Sequence, residues 1–524
     1  MKRSLTALLA ACLFASSAPA QDLAVSIVAT NGDFNYYGQS GGIAAYSMAG
    51  TSCNVGNQTI LWNDSARQAP MIAQSMFRIT PEGSFHQLGY SWLKVGFCAI
   101  NENSCGNCQS TNCDTLGLGC ADTYGAGLND GAGGVARWQL QPTTGAWPPS
   151  WAGPSGPLPL RGRLQVPTAE IADAASTFIS EIHYISEDDH MNGNARNNAS
   201  WREVRFPSQN NPQNVGMTQQ QDPAIYAWQA EHPDVQIEEI VITDEGGAGV
   251  HGYVLVGSKA TALGGGVYRY DYVVHNFNSD LSVGSFALTS GCDVSGATSR
   301  GVDHHSGSPW GNDPWSFSNN SNSLSWDTET FAQNQNANAV RWSFARTFSF
   351  TTNAAPVAGT ATVGMFKNGA SNNVDVLVPG SDCCSGGSIS NYCTANGNSA
   401  SAGGAVISAN GTPNVNANDL SFQVTAMPFN QVGYFLMSQS QGFVQNFSGS
   451  QGNLCLGSPI LRFNTSILDS GPFGFVQFAV DSNSLPNNAV FMAGDSWNFQ
   501  MWFRDNNPNQ TSNTTAGINV TFCN

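Results

Sequence analysis

The stretch AVRWSFARTFSF, residues 339–350, decides the fold class of this chain. Large apolar side chains recur at even-numbered positions, namely Val340, Trp342, Phe344, Phe348 and Phe350. A repeat of two is the period of a β-strand that packs one face into a core. The stretch therefore predicts an antiparallel strand whose other face is solvated or packed against a second layer.

The same alternation recurs elsewhere in the chain. VYRYDYVVHN (267–276) places Tyr268, Tyr270, Tyr272 and Val274 on one face, and DSWNFQMWF (495–503) does the same with Trp497, Phe499, Met501 and Phe503. The one helical pattern is DPAIYAWQAEH (222–232), with Asp222 as its cap and Pro223 in its first turn. We therefore predict an all-β chain of several antiparallel, jelly-roll-like β-sandwiches with little helix.

The amino end predicts export. Lys2 and Arg3 precede the apolar stretch Leu5–Ala15, and the small residues Ala18-Pro19-Ala20 follow it. This order is typical of a signal peptide, here residues 1–20, so the mature chain is expected to begin near Gln21. No other run approaches the roughly 18 apolar residues of a membrane helix. We expect a secreted or cell-surface protein without a membrane span.

Two changes in composition suggest domain boundaries. The stretches TTGAWPPSWAGPSGPLP (143–159) and SDCCSGGSISNYCTANGNSASAGG (381–404) are rich in Pro, Gly and Ser. They predict a cysteine-rich amino-terminal β region (21–150), a central β-sandwich domain (157–380) and a carboxyl-terminal β-sandwich module (389–524). In the alternative, the first stretch is an ordered loop between sheets, which would merge the first two units.

The cysteines favour disulfides. Cys12 lies in the predicted signal peptide, and twelve remain: Cys53, Cys98, Cys105, Cys108, Cys113, Cys120, Cys292, Cys383, Cys384, Cys393, Cys455 and Cys523. An even number in an exported chain predicts a disulfide framework. By position they form groups of six, four and two, each of which can pair internally, although spacing does not give the connectivity. CGNCQSTNC (105–113) also offers a C-x-x-C zinc or redox motif, but its Asn- and Ser-rich surroundings favour disulfides.

The charge balance narrows the class of partner. The chain has 19 Lys and Arg against 36 Asp and Glu, a net charge of −17 at pH 7. Such an excess of acid argues against nucleic acid and anionic membranes as partners. It suits an extracellular polymer, a cell-surface component or a cation.

The last quarter of the chain carries a dense set of motifs. NYCTAN (391–396), GYFLMSQ (433–439), GNLCLG (452–457) and WNFQMWFRD (497–505), followed by TSNTT (511–515), resemble a module that recurs in large exported proteins of planctomycete-type bacteria. NGNARNNASWREV (192–204) and VDHHSGSPW (302–310) resemble a second exported family from similar bacteria. The resemblance implies export, a β-rich fold and this order of modules, but it assigns no catalytic residue. It suggests an accessory role for the module in binding, spacing or sorting.

GVDHHSGSPWGNDPW (301–315) is the candidate metal or catalytic segment. Asp303, His304 and His305 offer a carboxylate and two imidazoles to a transition metal or to acid–base chemistry, and His275 is available to join them. In the family that the segment resembles, the position of His304 is often aromatic, which leaves Asp303 and His305 as the pair of interest. In the alternative, Asp303 caps a turn and His305 donates to a backbone carbonyl.

A second candidate cation site lies at Glu187, Asp188 and Asp189, where three consecutive carboxylates suit calcium. The alternative there is a solvated acidic loop. Four tryptophans beside prolines and glycines, Trp147, Trp151, Trp310 and Trp315, are candidates for stacking on sugar rings. Their alternative role is to close the ends of the sandwiches.

These observations predict an exported, non-catalytic cell-envelope or extracellular protein that binds polysaccharide or another surface polymer. The alternative is a secreted hydrolase, lyase or metal-dependent enzyme with its site around Asp303 and His305. Glycoside hydrolysis by two carboxylates belongs to that alternative, with Asp303, Asp313 and Asp327 available. The sequence specifies no cofactor beyond calcium or a transition metal at the candidate positions.

Overall fold

The computed structural model describes residues 21–28, 34–264, 266–290, 292, 294–320, 323–380, 387–415 and 418–523. The predicted signal peptide, as well as Cys383 and Cys384, lies outside the described residues. Within these ranges every pair of neighbouring strands is antiparallel, and the α-helices are few and short: α1 (Thr168–Ile171), α2 (Glu187–Met191) and α3 (Ile225–Glu231). None of the helices in the described residues has the length and apolar character needed to cross a bilayer. The prediction of an all-β fold with little helix is confirmed.

The first fourteen strands lie before α3. In chain order they are β1 (Leu23–Val28), β2 (Phe34–Ser40), β3 (Ile43–Met48), β4 (Gly50–Asn54), β5 (Ile60–Leu61), β6 (Met71–Ile79), β7 (Phe85–Tyr90), β8 (Lys94–Val95), β9 (Thr115–Leu116), β10 (Ala121–Tyr124), β11 (Leu164–Pro167), β12 (Thr177–Ile185), β13 (Ala199–Arg205) and β14 (Gln213–Gln219). A 3-10 turn, Arg137–Gln139, lies between β10 and β11.

These strands form a sandwich around a central sheet of order β14-β13-β12-β6-β7, with β8 paired to β6. Two smaller sheets, β1-β4-β10 and β11-β3-β2, cover one of its faces. Met76, Ile182 and Tyr184 project from the central sheet into this core and meet Tyr46 and Val166 of the covering strands.

The next ten strands build a second sandwich. They are β15 (Gln236–Ile242), β16 (Gly252–Gly264), β17 (Val267–Asn276), β18 (Val283–Thr289), β19 (Ser295–Arg300), β20 (Ser316–Asn320), β21 (Ser323–Asp327), β22 (Phe344–Thr352), β23 (Pro356–Met365) and β24 (Ser371–Pro379). One sheet runs β15-β16-β17-β22-β19 and the other β20-β21-β18-β23-β24. The predicted apolar faces of β17 and β22 lie in the core between them, where Tyr270, Tyr272, Phe348 and Phe350 are buried.

The two sandwiches stack back to back, which produces four layers of sheet. Phe77 and Ile179 of the first sandwich pack against Val273 and Ala345 of the second, together with Trp228 of α3. Polar groups cross the same interface, since the backbone N–H of Ala345 donates to Gln87 Oε1 at 2.8 Å. The second faces of β17 and β22, which the sequence allowed to be either solvated or packed, are therefore covered by another sheet.

The last twelve strands form a separate pair of sheets. They are β25 (Ser388–Asn391), β26 (Val406–Asn410), β27 (Ser421–Thr425), β28 (Val432–Ser438), β29 (Gln441–Gln445), β30 (Asn453–Leu456), β31 (Leu461–Arg462), β32 (Leu468–Asp469), β33 (Val476–Ala479), β34 (Ser496–Asn506), β35 (Gln510–Thr514) and β36 (Ile518–Thr521). The sheet β25-β36-β34-β28-β31 packs on β26-β27-β33. The predicted apolar face of β34, from Trp497 to Phe503, lies in this core.

Strand pairing divides the first two units differently from the composition. Strands β11 and β12 follow the stretch 143–159, yet β11 pairs with β3 and β12 pairs with β6. The first sandwich therefore extends to β14, and the Trp-Pro stretch is a loop within it. The first sandwich ends with β14 and the second begins with β15, and α3 lies between these two strands.

The predicted helix forms at Ile225–Glu231, but Asp222 is not its cap. Ala224 occupies the N-cap position without a side-chain cap, and its N–H donates to the buried Glu181 Oε2 at 2.7 Å. Burial raises the pKa of Glu181 to about 7. A carboxylate on the neighbouring strand β12 thus satisfies the helix terminus, which local sequence could not reveal.

Four disulfides join described cysteines: Cys53–Cys105, Cys98–Cys113, Cys108–Cys120 and Cys393–Cys455. Cys292 and Cys523 are also disulfide-bonded. The six amino-terminal cysteines pair among themselves. Cys105 and Cys108, the C-x-x-C pair of the zinc alternative, belong to two different disulfides. Internal pairing within the groups of four and two is wrong, because Cys393 and Cys455 come from different groups.

Candidate functional site: a tryptophan cleft

The segment 301–315 lies at the junction of the two sandwiches. The N–H of His305 donates to the Tyr90 hydroxyl at 3.0 Å, and its ring stacks on Tyr90 with a centroid distance of 4.2 Å. Ser155 N donates to the carbonyl of Ser306 at 2.9 Å, which ties the segment to the Trp-Pro loop. The segment therefore joins β7 and the first sandwich to the second.

Both ring nitrogens of His305 have partners. Nε2 lies 3.1 Å from the carbonyl oxygen of Tyr90, and Nδ1 lies 2.8 Å from Ser306 Oγ. Since a carbonyl only accepts, Nε2 carries the proton and Nδ1 accepts from the serine hydroxyl. Burial lowers the pKa of His305 to about 3. A neutral imidazole with a hydrogen bond at each nitrogen fits the alternative in which His305 donates to a backbone carbonyl, and it leaves no lone pair for a metal.

His304, Asp303 and Asp313 do not complete a site with His305. The ring of His304 packs 5.1 Å from both Trp310 and Phe344, and burial lowers its pKa to about 3. Asp303 and Asp313 are exposed. His275 lies in the interface between the sandwiches, fully buried on β17. Among the described residues, no three histidine, cysteine or carboxylate side chains are placed to hold one metal ion.

The three consecutive carboxylates of the predicted calcium site form the first turn of α2 and lie in different environments. Asp189 is fully buried and accepts from the N–H of Leu23 and the amide of Asn198, at 2.8 and 2.6 Å. Asp188 accepts from the N–H of Leu61 at 2.8 Å, whereas Glu187 is exposed. The two aspartates fix neighbouring strands through backbone N–H groups, so the prediction of a shared calcium site is not supported by their geometry.

The four predicted tryptophans have different environments. Trp315 is buried in the core of the second sandwich, and its indole N–H donates to the carbonyl of Asn338 at 2.6 Å. It therefore closes the sandwich, and its ring is not accessible to a ligand. Trp310 and Trp151 are half-buried, whereas Trp147 is 8% exposed and belongs to a small core cluster. Trp147 and Trp151 pack edge-to-face with centroids 5.7 Å apart, and both contribute to the wall of an open cleft.

This tryptophan cleft has a volume of about 530 Å³, and its lining includes Asp64, Lys94, Asp130, Trp147 and Trp151. The size suits one or two sugar rings, and the lining combines two indole rings with charged side chains. The indole N–H of Trp147 is buried and has no partner.

Local backbone geometry holds the cleft open. Gly131 has φ 74°, and a Cβ there would lie 2.3 Å from the carbonyl oxygen of Gly162. This close approach fixes the loop 128–134 against the segment that precedes β11. On the other wall, Arg67 Nη1 donates to the carbonyl of Trp147 at 3.0 Å. Loops from four parts of the first sandwich thus meet at the cleft.

Charges of both signs border the cleft. Lys94 lies over the ring of Phe97 at 4.3 Å, and burial lowers its pKa to about 8 although carboxylates nearby oppose this shift. Asp130 is paired with Arg163 at 2.9 Å, whereas Asp64 is exposed. The arrangement offers hydrogen-bond acceptors and a cation at the edge of two indole rings.

The cleft continues along the molecule. Trp147 also lines a shallow depression with Trp138, Gln141 and Asp280. Trp138 and Asp280 in turn line a deeper cavity next to Trp310 and Arg341. The three depressions share wall residues and therefore lie side by side, and we refer to them together as the groove. Trp138, Lys94 and Arg341 were not singled out from the sequence, because no motif marks residues that converge from separate loops.

Comparison with protein-family models and with curated proteins finds no match. Among solved structures, the C-terminal domain of the AgI/II polypeptide BspA from Streptococcus agalactiae is 10% identical with a TM-score of 0.15, covering 55% of this chain and all of that one. The BSP domain of a biofilm associated protein is 8% identical with a TM-score of 0.14, covering 95% of this chain and 81% of that one. At these TM-scores neither likeness supports an argument about fold or function.

Proposed function

We propose that this chain is an exported, non-catalytic protein of the cell envelope or extracellular matrix that binds polysaccharide in the tryptophan cleft. The observation that carries the proposal is the pair of indole rings, Trp147 and Trp151, at the wall of an open cleft bordered by charged side chains. Indole faces bury the apolar faces of sugar rings, while carboxylates and N–H groups bond the hydroxyls at their edges.

The disulfides support export. Such bonds form and persist in oxidising compartments, and three of them link the loops of the first sandwich. The enzyme alternative has no support at its predicted centre, since His305 is neutral and engaged at both nitrogens.

The proposal is tested by retention of the purified mature protein on insoluble cellulose, chitin and xylan. We expect wild-type protein to bind at least one of them and Trp151→Ala to weaken that binding at least tenfold, equivalent to about 1.4 kcal/mol. Trp502→Ala is the matched control, because this half-buried tryptophan packs on Tyr434 in the carboxyl-terminal unit. Equal binding by the two variants, or no binding to any polysaccharide by wild type, would overturn the proposal.

A further inference from the structure

The far end of the groove is a cavity of about 260 Å³ at the junction of the two sandwiches. Three tryptophans, Trp138, Trp310 and Trp342, contribute to its wall. Trp138 and Trp310 pack edge-to-face with centroids 6.2 Å apart. An aromatic wall thus extends from the tryptophan cleft to this cavity, which we call the basic cavity.

The charged groups on its wall are mainly cations. Arg137, Arg341 and Lys367 line it, against Asp280 as the one carboxylate among its described lining residues. Asp280 is already engaged, since Lys367 Nζ lies 2.6 Å from its Oδ1. The wall therefore carries a net positive charge in a protein whose net charge is −17.

Neither Arg137 nor Arg341 has an ion-pair partner among the described residues, and Arg341 is the one with an unsatisfied guanidinium nitrogen. Its side chain is buried, and it donates to the carbonyl oxygens of Gln335 and Ala337 at 3.0 and 2.9 Å. In the described part of the chain it forms no ion pair, and its Nε has no hydrogen-bond partner. Burial lowers its pKa to about 10, so it remains charged at neutral pH. A buried guanidinium without an anion is unfavourable, and a bound anion would relieve it.

The two ends of the groove therefore favour different sugars. The tryptophan cleft presents two carboxylates, Asp64 and Asp130, against two cations, Arg67 and Lys94, so that the charges of its lining balance and suit neutral sugar units. The basic cavity presents uncompensated cations beside aromatic rings. A polymer that lies along both ends would combine neutral sugar units with an acidic one.

We propose that the basic cavity binds the carboxylate or sulfate group of an acidic sugar, so that the ligand of the groove is an acidic heteropolysaccharide. The inference rests on the proposed function and adds to it the chemical class of the polymer. A nucleic acid is the less favourable polyanion, because its closely spaced phosphates would also have to lie along the tryptophan cleft, where the charges of the lining balance.

Calorimetric titration of the mature protein tests the proposal. The probes are glucuronoxylan and the same polymer after chemical reduction of its carboxyl groups to alcohols. We expect the acidic form to bind at least tenfold more tightly at low salt, and the difference to shrink at about 0.5 M NaCl, where charges are screened. Chondroitin and chondroitin sulfate, which share the carboxylate and differ in sulfate, form a second pair that reports whether a sulfate group adds to the affinity.

Two variants with opposite expected effects locate the binding. Lys367→Gln removes a partly exposed cation and should weaken binding of the acidic polymer about tenfold, while Asp280→Asn removes the competing carboxylate and should strengthen it. Arg462→Gln, an exposed arginine of the carboxyl-terminal unit, is the control for a general charge effect.

The outcomes separate the two proposals. Equal affinity for the members of both polymer pairs would overturn the acidic ligand while leaving polysaccharide binding intact. A failure to bind any of the four polymers, together with no retention on cellulose, chitin or xylan, would overturn both. If single-stranded DNA bound more tightly than every glycan, and Lys367→Gln weakened this binding, the ligand of the basic cavity would be a nucleic acid and the acidic-sugar proposal would be overturned.

Discussion

Replacing His305 with alanine removes a side chain that links the two sandwiches. Its Nε2–H bond to the carbonyl of Tyr90 and its Nδ1 bond to Ser306 are each worth about 1 kcal/mol net. Its stacking on the Tyr90 ring, at a centroid distance of 4.2 Å, adds about 1 kcal/mol. We therefore expect His305→Ala to lower the free energy of unfolding by about 3 kcal/mol.

The adjacent histidine provides the matched control. His304 is surrounded by aromatic rings, and its buried Nδ1 has no partner. Phenylalanine keeps the ring contacts and removes the unpaired nitrogen, so His304→Phe should change the free energy of unfolding by less than about 1 kcal/mol, in the stabilising direction.

Urea unfolding followed by tryptophan fluorescence and circular dichroism measures both effects. With an m value of about 3 kcal/mol per M, a loss of 3 kcal/mol lowers the unfolding midpoint by about 1 M. If His305→Ala unfolds at the wild-type midpoint, or His304→Phe is the more damaging change, the structural role assigned to His305 is refuted. The structural role would also be refuted if the purified protein contained stoichiometric copper, zinc or iron and the His305→Ala variant lost this metal.

Three further predictions concern the backbone, the pH dependence and the disulfides. Gly131→Ala should destabilise the first sandwich by more than about 1 kcal/mol, because the φ of Gly131 is 74° and a Cβ there would lie 2.3 Å from a carbonyl oxygen. Gly133→Ala is the control: nothing lies within 4 Å of its Cβ position, so its thermal unfolding should match that of the wild type. Burial lowers the pKa of His275 to about 3 in the folded protein. Between pH 6.5 and 3 the imidazole is therefore protonated in the unfolded chain but not in the folded one, and stability is lost as the pH falls through this window. His275→Phe should reduce that loss in thermal unfolding measured from pH 7 to 4. Alkylation of the unreduced, denatured protein should label no described cysteine, and peptide mapping should recover Cys393 bonded to Cys455; free thiol at either residue would contradict the assigned disulfide.

Much of the fold follows from alternation in the sequence. The faces of β17, β22 and β34 could be assigned because each strand places large apolar side chains at every second position. What alternation could not reveal is the stacking of sandwiches. The second face of β17 carries Asp271 and His275, and the sequence left open whether this face is solvated or packed; both residues are fully buried against the first sandwich.

Boundaries and disulfide connectivity depend on contacts between distant residues. The stretch 143–159 has the composition of a linker, but β11 and β12 return to sheets begun by β3 and β6. Cys393 bonds Cys455 across a separation of 62 residues, which spacing alone cannot specify.

The candidate site was only partly predictable. Trp147 and Trp151 were identified from their prolines and glycines, but the same signal also selected Trp315, whose ring is buried in a core. Trp147 is almost as buried as Trp315, at 8% against 6% exposed, and what distinguishes it is its place beside the half-buried Trp151 at the wall of the cleft, which packing decides. The resemblance to exported proteins of planctomycete-type bacteria remains a prediction.

The most direct test of polysaccharide binding is to observe the indole N–H resonances of the mature protein by NMR during titration with a glucuronoxylan oligosaccharide. Tryptophan-to-phenylalanine variants assign the resonances. We expect those of Trp147, Trp151 and Trp138 to shift with ligand while those of Trp497 and Trp502 stay unchanged. Shifts confined to the carboxyl-terminal pair, or no shift at saturating ligand, would contradict binding in the groove.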